Sequence, residues 1–273
     1  MSNVSISTNK LTIGYRTASG GEQIVQTDLN FSLNAGEMVC MLGPNGCGKS
    51  TLLRTLAGLQ PPLSGEYRIQ STEYRPEKAV ALVLTERLSL ENTTVHDVVA
   101  MGRYPYTSFL GGLTPEDEAI IAESLEQVGF ENLTGGAGPT AERSYSASGL
   151  TAERSVEASA STMFNAHSDG EKQRILIAKA LAQQTPIILL DEPTAHLDLP
   201  HRILILRLLR TLAHEQGKTV LISTHELDLA LALSDRILLM TPGRGIRLDT
   251  ADHLKQADAF TDAFGMDIFN PLG

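Results

Sequence analysis

The first third of the chain alternates apolar and polar residues, a spacing typical of half-buried β-strands. The alternating apolar positions are Leu11 and Ile13, then Leu29, Phe31 and Leu33, and, after a Pro-Pro turn, Tyr67 and Ile69. Turn residues separate these segments closely in the sequence, as in antiparallel sheets. The pattern therefore predicts an N-terminal antiparallel β-subdomain.

A different pattern interrupts this alternation. Met38 to Leu42 is a continuous apolar run, and residues 43–50 read Gly-Pro-Asn-Gly-Cys-Gly-Lys-Ser. Leucines with helical spacing follow at Leu52, Leu53 and Leu56. A short apolar run before a glycine-rich loop and a helical repeat predicts a buried strand, a loop and a helix.

The last third alternates strand and helix patterns. Residues 186–190, 219–223 and 236–240 are apolar runs of strand length, and residues 203–212 form an apolar-rich helical segment. Strands alternating with helices indicate a parallel sheet with both faces covered. The chain as a whole is therefore predicted to have an α/β fold.

The middle region is predicted to be helical, with caps at Thr94 and Thr114 and a stop at Gly129. Residues 135–162 then change in composition: 19 of these 28 residues are Gly, Ala, Ser or Thr, and they contain a tandem repeat with a period of 11. So few apolar residues cannot offset the entropy lost on ordering. We expect a mobile surface insertion there.

Composition narrows the function classes. The 273 residues include 22 basic and 32 acidic side chains, giving a net charge of −10, without a basic block of the kind that nucleic acids require. Two cysteines and a polar start without a signal-peptide pattern favour a reducing cytoplasm. The apolar runs fall short of the ~20 residues that cross a bilayer. We expect a protein that is soluble or peripheral to a membrane.

Residues 43–50 fit the phosphate-binding pattern G-x-x-x-x-G-K-[ST] in its strand-loop-helix context. In such a loop, backbone N–H groups surround phosphate oxygens at a helix N-terminus. Lys49 bridges the β and γ oxygens, and the Ser50 hydroxyl can bind Mg²⁺. An incidental glycine turn with an exposed lysine is the alternative, which the strand and helix on either side disfavour.

Two further segments carry chemistry. Asp191 and Glu192 follow an apolar strand, at the edge where open parallel sheets bind ligands. Asp191 suits Mg²⁺, and Glu192 can act as the general base toward a water molecule. Ser168 and Glu171 form a capping box that begins a helix. Solvated acids and an ordinary helix cap are the plainer interpretations of these two segments.

The phosphate loop, Ser168-Asp-Gly-Glu-Lys-Gln-Arg174 and Leu189-Leu-Asp-Glu-Pro193 occur in an order that resembles ABC-type ATPases over almost the whole chain. The resemblance implies one ABC ATPase domain with a P-loop NTPase core and the antiparallel β-subdomain in residues 1–86 and 184–273. A helical subdomain inserted at residues 87–183 would contain the 135–162 segment.

By the same resemblance, ATP and Mg²⁺ are the expected cofactors, and Glu192, His225 and Lys49 are the expected catalytic residues. Asp198 is expected in the loop that crosses a dimer interface, and Tyr15 is expected to stack on adenine. The predicted nucleotide-binding residues are Tyr15, Gly43, Pro44, Asn45, Gly46, Cys47, Gly48, Lys49, Ser50, Thr51, Ser168, Gly170, Glu171 and Asp198. The predicted metal ligands are Ser50 and Asp191, with Thr85 or Glu86 as a further oxygen ligand.

The sequence departs from the family pattern at several points. Thr85, followed by Glu86, stands where the family has a metal-contacting glutamine, and His167 replaces a leucine before the signature serine. The 135–162 segment occupies a gap that the family usually crosses in a few residues.

The resemblance also implies partners. A second copy of the chain would close head to tail around two ATP molecules, and Ser168 and Gly170 of one copy would face the ATP held by the other. Gly102-Arg-Tyr-Pro-Tyr106 resembles ATPases of siderophore, haem and cobalamin importers. An integral-membrane permease, a substrate-binding protein and a peripheral location on the inner face of the cell membrane are therefore expected.

Two alternatives remain open at this stage. One is a soluble ABC ATPase that acts with a protein scaffold, as in iron–sulfur cluster assembly. The other is a DNA-maintenance ATPase, which the acidic charge and the missing coiled-coil heptads disfavour.

Overall fold

In a computed structural model, residues 4–17, 20–69, 76–84, 90, 92–107, 112–130, 162–195, 197–266 and 269 are described. The chain divides into two compact units: Met1–Arg87 with Gln183–Gly273, and Leu88–Ala182. We call them the first unit and the second unit. The predicted 135–162 insertion, apart from Thr162, lies outside the described residues, as do Thr85 and Glu86.

The strands of the described residues all belong to the first unit. In chain order they are β1 (Val4–Arg16), β2 (Glu22–Leu29), β3 (Ser32–Asn34), β4 (Met38–Leu42), β5 (Ser64–Ile69), β6 (Val80–Val83), β7 (Ile187–Asp191), β8 (Thr219–Ser223), β9 (Arg236–Thr241) and β10 (Gly245–Asp249).

Four of these strands form an antiparallel sheet, as the alternating pattern predicted. β1 is central: it pairs with β2, β3 and β5, all antiparallel. Its register shifts between Leu11 and Ile13, and again before Gly14. Such bulges let one long strand change partners along its length. β1 therefore extends from Val4 to Arg16, well beyond the alternating positions Leu11 and Ile13 from which it was predicted.

The other sheet has six strands in the order β10-β9-β4-β8-β7-β6. β4, β6, β7, β8 and β9 run parallel, and β10 adds an antiparallel edge. Every residue of β4, β7 and β8 is buried, as expected for continuous apolar runs covered on both faces. This mixed architecture confirms the predicted α/β fold class.

Helices of both units follow the capping signals. The first unit contains α1 (Lys49–Leu56), α2 (Pro76–Ala79), α6 (Leu199–His214), α7 (Leu227–Leu233), α8 (Ala251–Gln256) and α9 (Ala259–Phe264). The second unit contains α3 (Val95–Ala100), a 3₁₀ helix (Met101–Tyr106), α4 (Pro115–Gln127), a 3₁₀ turn (Phe164–Ala166) and α5 (Asp169–Ala182). Thr94 and Thr114 cap helices as predicted, and the structure shows that each forms a capping box with the aspartate three residues later. No helix of the described residues is long and apolar enough to span a membrane.

A buried ion pair fixes the second unit. Nε of Arg103, in the 3₁₀ helix, lies 2.7 Å from Oδ1 of Asp117 in α4, and Arg103 also donates to the carbonyl of Ala182 at 2.9 Å. Hydrogen bonds from the Thr114 backbone and from Arg103 lower the pKa of Asp117 to about 2. One arginine thus ties three helical segments together.

Candidate functional site

One row of residues across the parallel sheet brings the predicted chemistry together. Met41 of β4 pairs with Ser223 of β8, and Ser223 pairs in turn with Asp191 of β7. The three strands therefore end at the same edge. The phosphate loop leaves this edge after β4, Glu192 leaves it after β7, and His225 leaves it after β8.

The phosphate loop is held closed by its own lysine. Nζ of Lys49 donates to the carbonyl oxygens of Gly43 at 2.8 Å and of Pro44 at 3.3 Å, and the side chain is buried. At Gly43, any Cβ would lie 2.5 Å from the carbonyl oxygen of Met240 in β9, so the loop passes too close to the sheet for another residue. The amino group thus lies inside the loop, as the phosphate-binding pattern requires.

The first turn of α1 carries the other predicted groups of this motif. Ser50 is exposed, and Thr51 is buried. The Tyr15 hydroxyl lies 2.8 Å from Oγ1 of Thr51, and the Tyr15 side chain remains 43% exposed. Tyr15 is therefore anchored at the start of α1 and presents its ring to solvent. This suits stacking on a planar ring.

Asp191 and Glu192 are positioned by Ser223. Oγ of Ser223 donates to Oδ1 of Asp191 at 2.5 Å, and the backbone N–H of Glu192 donates to both Oγ and the carbonyl oxygen of Ser223 at 3.0 Å. Glu192 has a φ of 47°, in the left-handed region. Such backbone conformations carry strain and concentrate at functional sites. One serine thus holds the Asp191 carboxylate and the backbone of Glu192.

The predicted catalytic histidine reaches the predicted base. Nε2 of His225 contacts Oε1 of Glu192, and both side chains remain partly exposed. The two side chains expected to act in ATP hydrolysis, Glu192 and His225, therefore contact each other just beyond the ends of β7 and β8.

The segments that follow β7 and β8 are also joined through Asp198, α6 and Glu226. Asp198 caps α6, its side chain accepting from the N–H of His201 at 3.2 Å. The contact between the Asp198 carboxylate and the His201 ring is the largest cause that lowers the pKa of Asp198. Within α6, Arg202 lies 3.2 Å from Oε1 of Glu226, which also accepts from Thr194 at 3.1 Å. Glu226, the residue after His225, thus contacts residues on both sides of Asp198: Thr194 before it and Arg202 after it.

The second unit carries the predicted signature helix. Oγ of Ser168 accepts from the N–H of Glu171 at 3.3 Å, and Oε2 of Glu171 accepts from the N–H of Ser168 at 2.9 Å, which confirms the capping box. Burial raises the pKa of Glu171, but hydrogen bonds from Ser168, together with the charges of His167 and Arg174, outweigh it, so the net pKa falls below its usual value. Gly170 lies in the first turn of this helix, α5.

His167 packs much as the leucine that it replaces would. Its ring lies edge-on to Phe130 with 5.9 Å between centroids, and its side chain is 7% exposed. Its Nε2 lies 2.7 Å from Oγ1 of Thr162, and Nδ1 lies 3.7 Å from Glu171. The histidine therefore fills the apolar place and finds polar partners for both nitrogens.

Three side chains of this region were not predicted from the sequence: Ser223, Glu226 and Gln26. Ser223 ends an apolar strand, Glu226 directly follows His225, and Gln26 stands in strand β2, which has no regular alternation. The polar residue at the end of a buried strand was the available signal for Ser223. Cys47 belongs to the phosphate loop and is buried. Burial raises the pKa of its thiol, which disfavours the reactive thiolate.

Comparisons with known proteins identify the family of this chain. A family model described as ABC transporter matches residues 26–195, more than half of the chain. The Iron(3+)-hydroxamate import ATP-binding protein FhuC of Bacillus subtilis is 34% identical over 271 residues, which cover 96% of this chain and 88% of that protein. The Hemin import ATP-binding protein HmuV of Streptomyces coelicolor is 35% identical over 240 residues, covering 85% of this chain and 74% of that protein.

A solved structure shows the same fold. It is the dimeric post-hydrolysis state of an ATP-binding cassette bound to ADP and Pi, with a TM-score of 0.69 and 26% sequence identity, covering 90% of this chain and 98% of that one. The phosphate loop, the strand-end carboxylates and these similarities lead to one conclusion. The chain belongs to the ABC transporter family, and it is an ATPase of that family.

Proposed function

We propose that this chain is the ATP-hydrolysing subunit of an importer for metal chelates or tetrapyrroles, in the class of iron-siderophore, haem or cobalamin. The main observation in support of ATP hydrolysis is the pairing of Met41, Ser223 and Asp191 across three parallel strands. Because these strands end together, the phosphate loop, Glu192 and His225 all follow the carboxyl ends of neighbouring strands. The names of the FhuC and HmuV relatives support the substrate class.

The phosphate loop binds the nucleotide in this proposal. Backbone N–H groups of residues 43–51 and the Lys49 ammonium contact the phosphates, and the exposed Tyr15 ring stacks on adenine. Lys49 exchanges its contacts with the Gly43 and Pro44 carbonyls for contacts with phosphate oxygens. The anion is thus held by groups that the loop positions before the ligand arrives.

The residues present fit Mg²⁺. No group of three or more His, Cys, Asp or Glu side chains is arranged to hold a metal ion within the described ranges, so the ion would need the nucleotide's own oxygens as ligands. Asp191 and the Ser50 hydroxyl offer the hard oxygen donors that Mg²⁺ prefers. When bound, the ion would neutralise charge on the β and γ phosphates. Thr85 or Glu86 remains the proposed further ligand.

Hydrolysis uses the Glu192 and His225 pair. The Glu192 carboxylate accepts a proton from the attacking water. The backbone N–H of Glu192 is held by Ser223, which fixes the point of the chain from which this side chain extends. His225 orients this carboxylate through their contact and holds the γ-phosphate. Both groups act from strand ends, so their separation is set by the sheet.

The remaining partners complete the proposal. A second copy contributes Ser168, Gly170 and Glu171 of its signature helix to the ATP held by the first copy, with Asp198 at the interface. The neighbour structure is dimeric, which supports this arrangement. A separate membrane permease, with a substrate-binding protein, receives the motion at the inner face of the membrane. We also propose that residues 87–183 form a helical subdomain and that the residues named above form the ATP site.

Two measurements test the proposal. Mg²⁺-dependent ATPase activity of the purified chain should disappear in Lys49→Ala and persist in Lys78→Ala, a lysine outside the loop. Uptake of ferric hydroxamate, haem and cobalamin is then compared in cells with and without the gene. Loss of uptake for one of the three would identify the solute. Unchanged uptake of all three would contradict the importer class and leave the ATPase assignment intact.

A further inference from the structure

Gln26, on β2, is buried beside the phosphate loop, and its side chain has no role in the proposed chemistry. It is 2% exposed. Its Nε2 donates to the carbonyl oxygen of Cys47 at 3.0 Å and to that of Thr241 at 3.1 Å. One carbonyl belongs to the phosphate loop and the other to the last residue of β9. A single amide group therefore joins the loop to the parallel sheet.

The hydrogen bonds fix how this amide is turned. Both partners are carbonyl oxygens, which only accept, so the NH₂ side must face them and the oxygen must face away. Oε1 of Gln26 is then buried without a hydrogen-bond partner among the described residues. A buried acceptor without a partner costs free energy. The two hydrogen bonds that Nε2 donates to buried carbonyls offset this cost.

The bond to Cys47 sets the direction of the next N–H group. The described residues contain no cis peptide bond, and in a planar trans peptide the C=O and N–H point in opposite directions. Because Gln26 holds the Cys47 carbonyl, the Gly48 N–H of the same peptide points away from Gln26. Gly48 has a φ of 107°, and any Cβ there would lie 2.6 Å from Val25. Strand β2 thus restrains this peptide closely.

We propose that Gln26 is a positioning residue that aims the Gly48 N–H at the phosphate groups. Phosphate loops bind anions through such N–H groups at a helix N-terminus, and Gly48 directly precedes α1. A peptide held in the binding orientation loses less entropy when the ligand arrives. The inference rests on the proposed nucleotide-binding role of the loop.

Gln26→Leu tests this role because leucine keeps most of the volume and removes both donors. We expect KM for ATP and the inhibition constant of pyrophosphate to rise together by roughly tenfold, the order expected for one hydrogen bond to a charged group. We expect kcat to stay within about twofold, since Glu192 and His225 are untouched. An equal effect on ATP and pyrophosphate would locate the loss at the phosphates.

Thr8→Val is the matched control. Thr8 is buried in the same unit, and its hydroxyl exchanges hydrogen bonds with the backbone of Phe31 at 3.0 and 3.4 Å, away from the loop. This variant should lose thermal stability and keep both affinities. A purely structural role for Gln26 would give the same result in Gln26→Leu, and that result would overturn the proposal.

Gln26→Glu keeps the test decisive if the leucine variant does not fold. At about pH 8, a carboxylate facing two carbonyl oxygens should weaken pyrophosphate binding relative to the wild type. Toward about pH 5.5, the protonated carboxyl can donate to one carbonyl, so the ratio to the wild type should recover. A ratio within twofold of unity at both pH values would refute the inference. Wild-type protein that binds neither ATP nor pyrophosphate would instead contradict the proposed function itself.

Discussion

Nε2 of His225 contacts Oε1 of Glu192, so the two proposed catalytic side chains form a pair across the ends of adjacent strands. Glu192→Gln keeps the shape of this pair and removes the base. We expect ATP binding to persist and kcat to fall by roughly 10² to 10⁴, the usual contribution of a general base. Light scattering should show an ATP-bound dimer that does not dissociate. Full turnover in this variant would exclude Glu192 as the base.

His225→Ala removes the partner and leaves the carboxylate. We expect kcat to fall while the Kd for ATP stays within a few-fold, because the phosphate loop is intact. His253→Ala is the matched control, since His253 also lies near a carboxylate, 3.0 Å from Asp249, but on the exposed helix α8. Equal loss of activity in both variants would argue that histidine removal acts through stability.

Asp117 makes the second unit sensitive to acid. Its folded pKa of about 2 lies below the usual 3.8, so the unfolded chain takes up the proton first. The stabilisation is therefore complete above about pH 4 and is lost as the pH falls toward 2. A shift of this size corresponds to about 2 kcal/mol. In urea titrations, Asp117→Asn should be less stable at neutral pH by this order, and the difference should shrink as the pH falls below about 4 and through the folded pKa.

The Thr114 contribution separates the causes of this shift. Thr114→Ala removes the hydroxyl that Asp117 accepts from at 2.8 Å, and it leaves the Arg103 ion pair in place. We expect an intermediate loss of about 1 kcal/mol, typical of a lost helix cap. A variant as unstable as Asp117→Asn would mean that the ion pair contributes nothing measurable.

His167→Leu examines the unusual residue before the signature serine. Leucine can pack against Phe130 but loses the hydrogen bond to Thr162. We expect a loss of about 1 kcal/mol in unfolding free energy. ATPase activity should stay within about twofold, because the Ser168 and Glu171 capping box remains. A large fall in activity at unchanged stability would show that His167 takes part in the function.

Much of the fold could be predicted because local signals agreed with tertiary packing. The run Met38–Leu42 is a fully buried strand, and Thr94 and Thr114 cap helices through contacts three residues away. Other elements were missed for physical reasons. β10 is short and only half-buried, and it pairs with the neighbouring β9 at the sheet edge. Its two apolar residues, Ile246 and Leu248, alternate with polar ones, but over too short a stretch to have been singled out from the sequence.

The sequence predicted the candidate site residues that lie in contiguous motifs, and it did not indicate the contacts that are assembled across the chain. Lys49 and Glu192 lie in motifs with fixed local spacing. The bond from Gln26 to Thr241 spans 215 residues, and Ser223 reaches Asp191 across 32. Such contacts depend on which strands are neighbours, and residue spacing in one sequence does not contain that information.

The buried strands also imply how this protein can fail. The interior residues of β8 are all apolar, and both faces of the strand are buried. A shift of its pairing by one residue would therefore not move apolar side chains into water, as it would in an alternating strand. Polar groups at its two ends hold the register: Thr219 donates to the carbonyl of Asn34 at 3.1 Å, and Ser223 bonds Asp191. A slipped chain would keep its helix and strand content, so circular dichroism would report it as native. Specific activity per folded molecule is therefore the measure of correct folding for this chain.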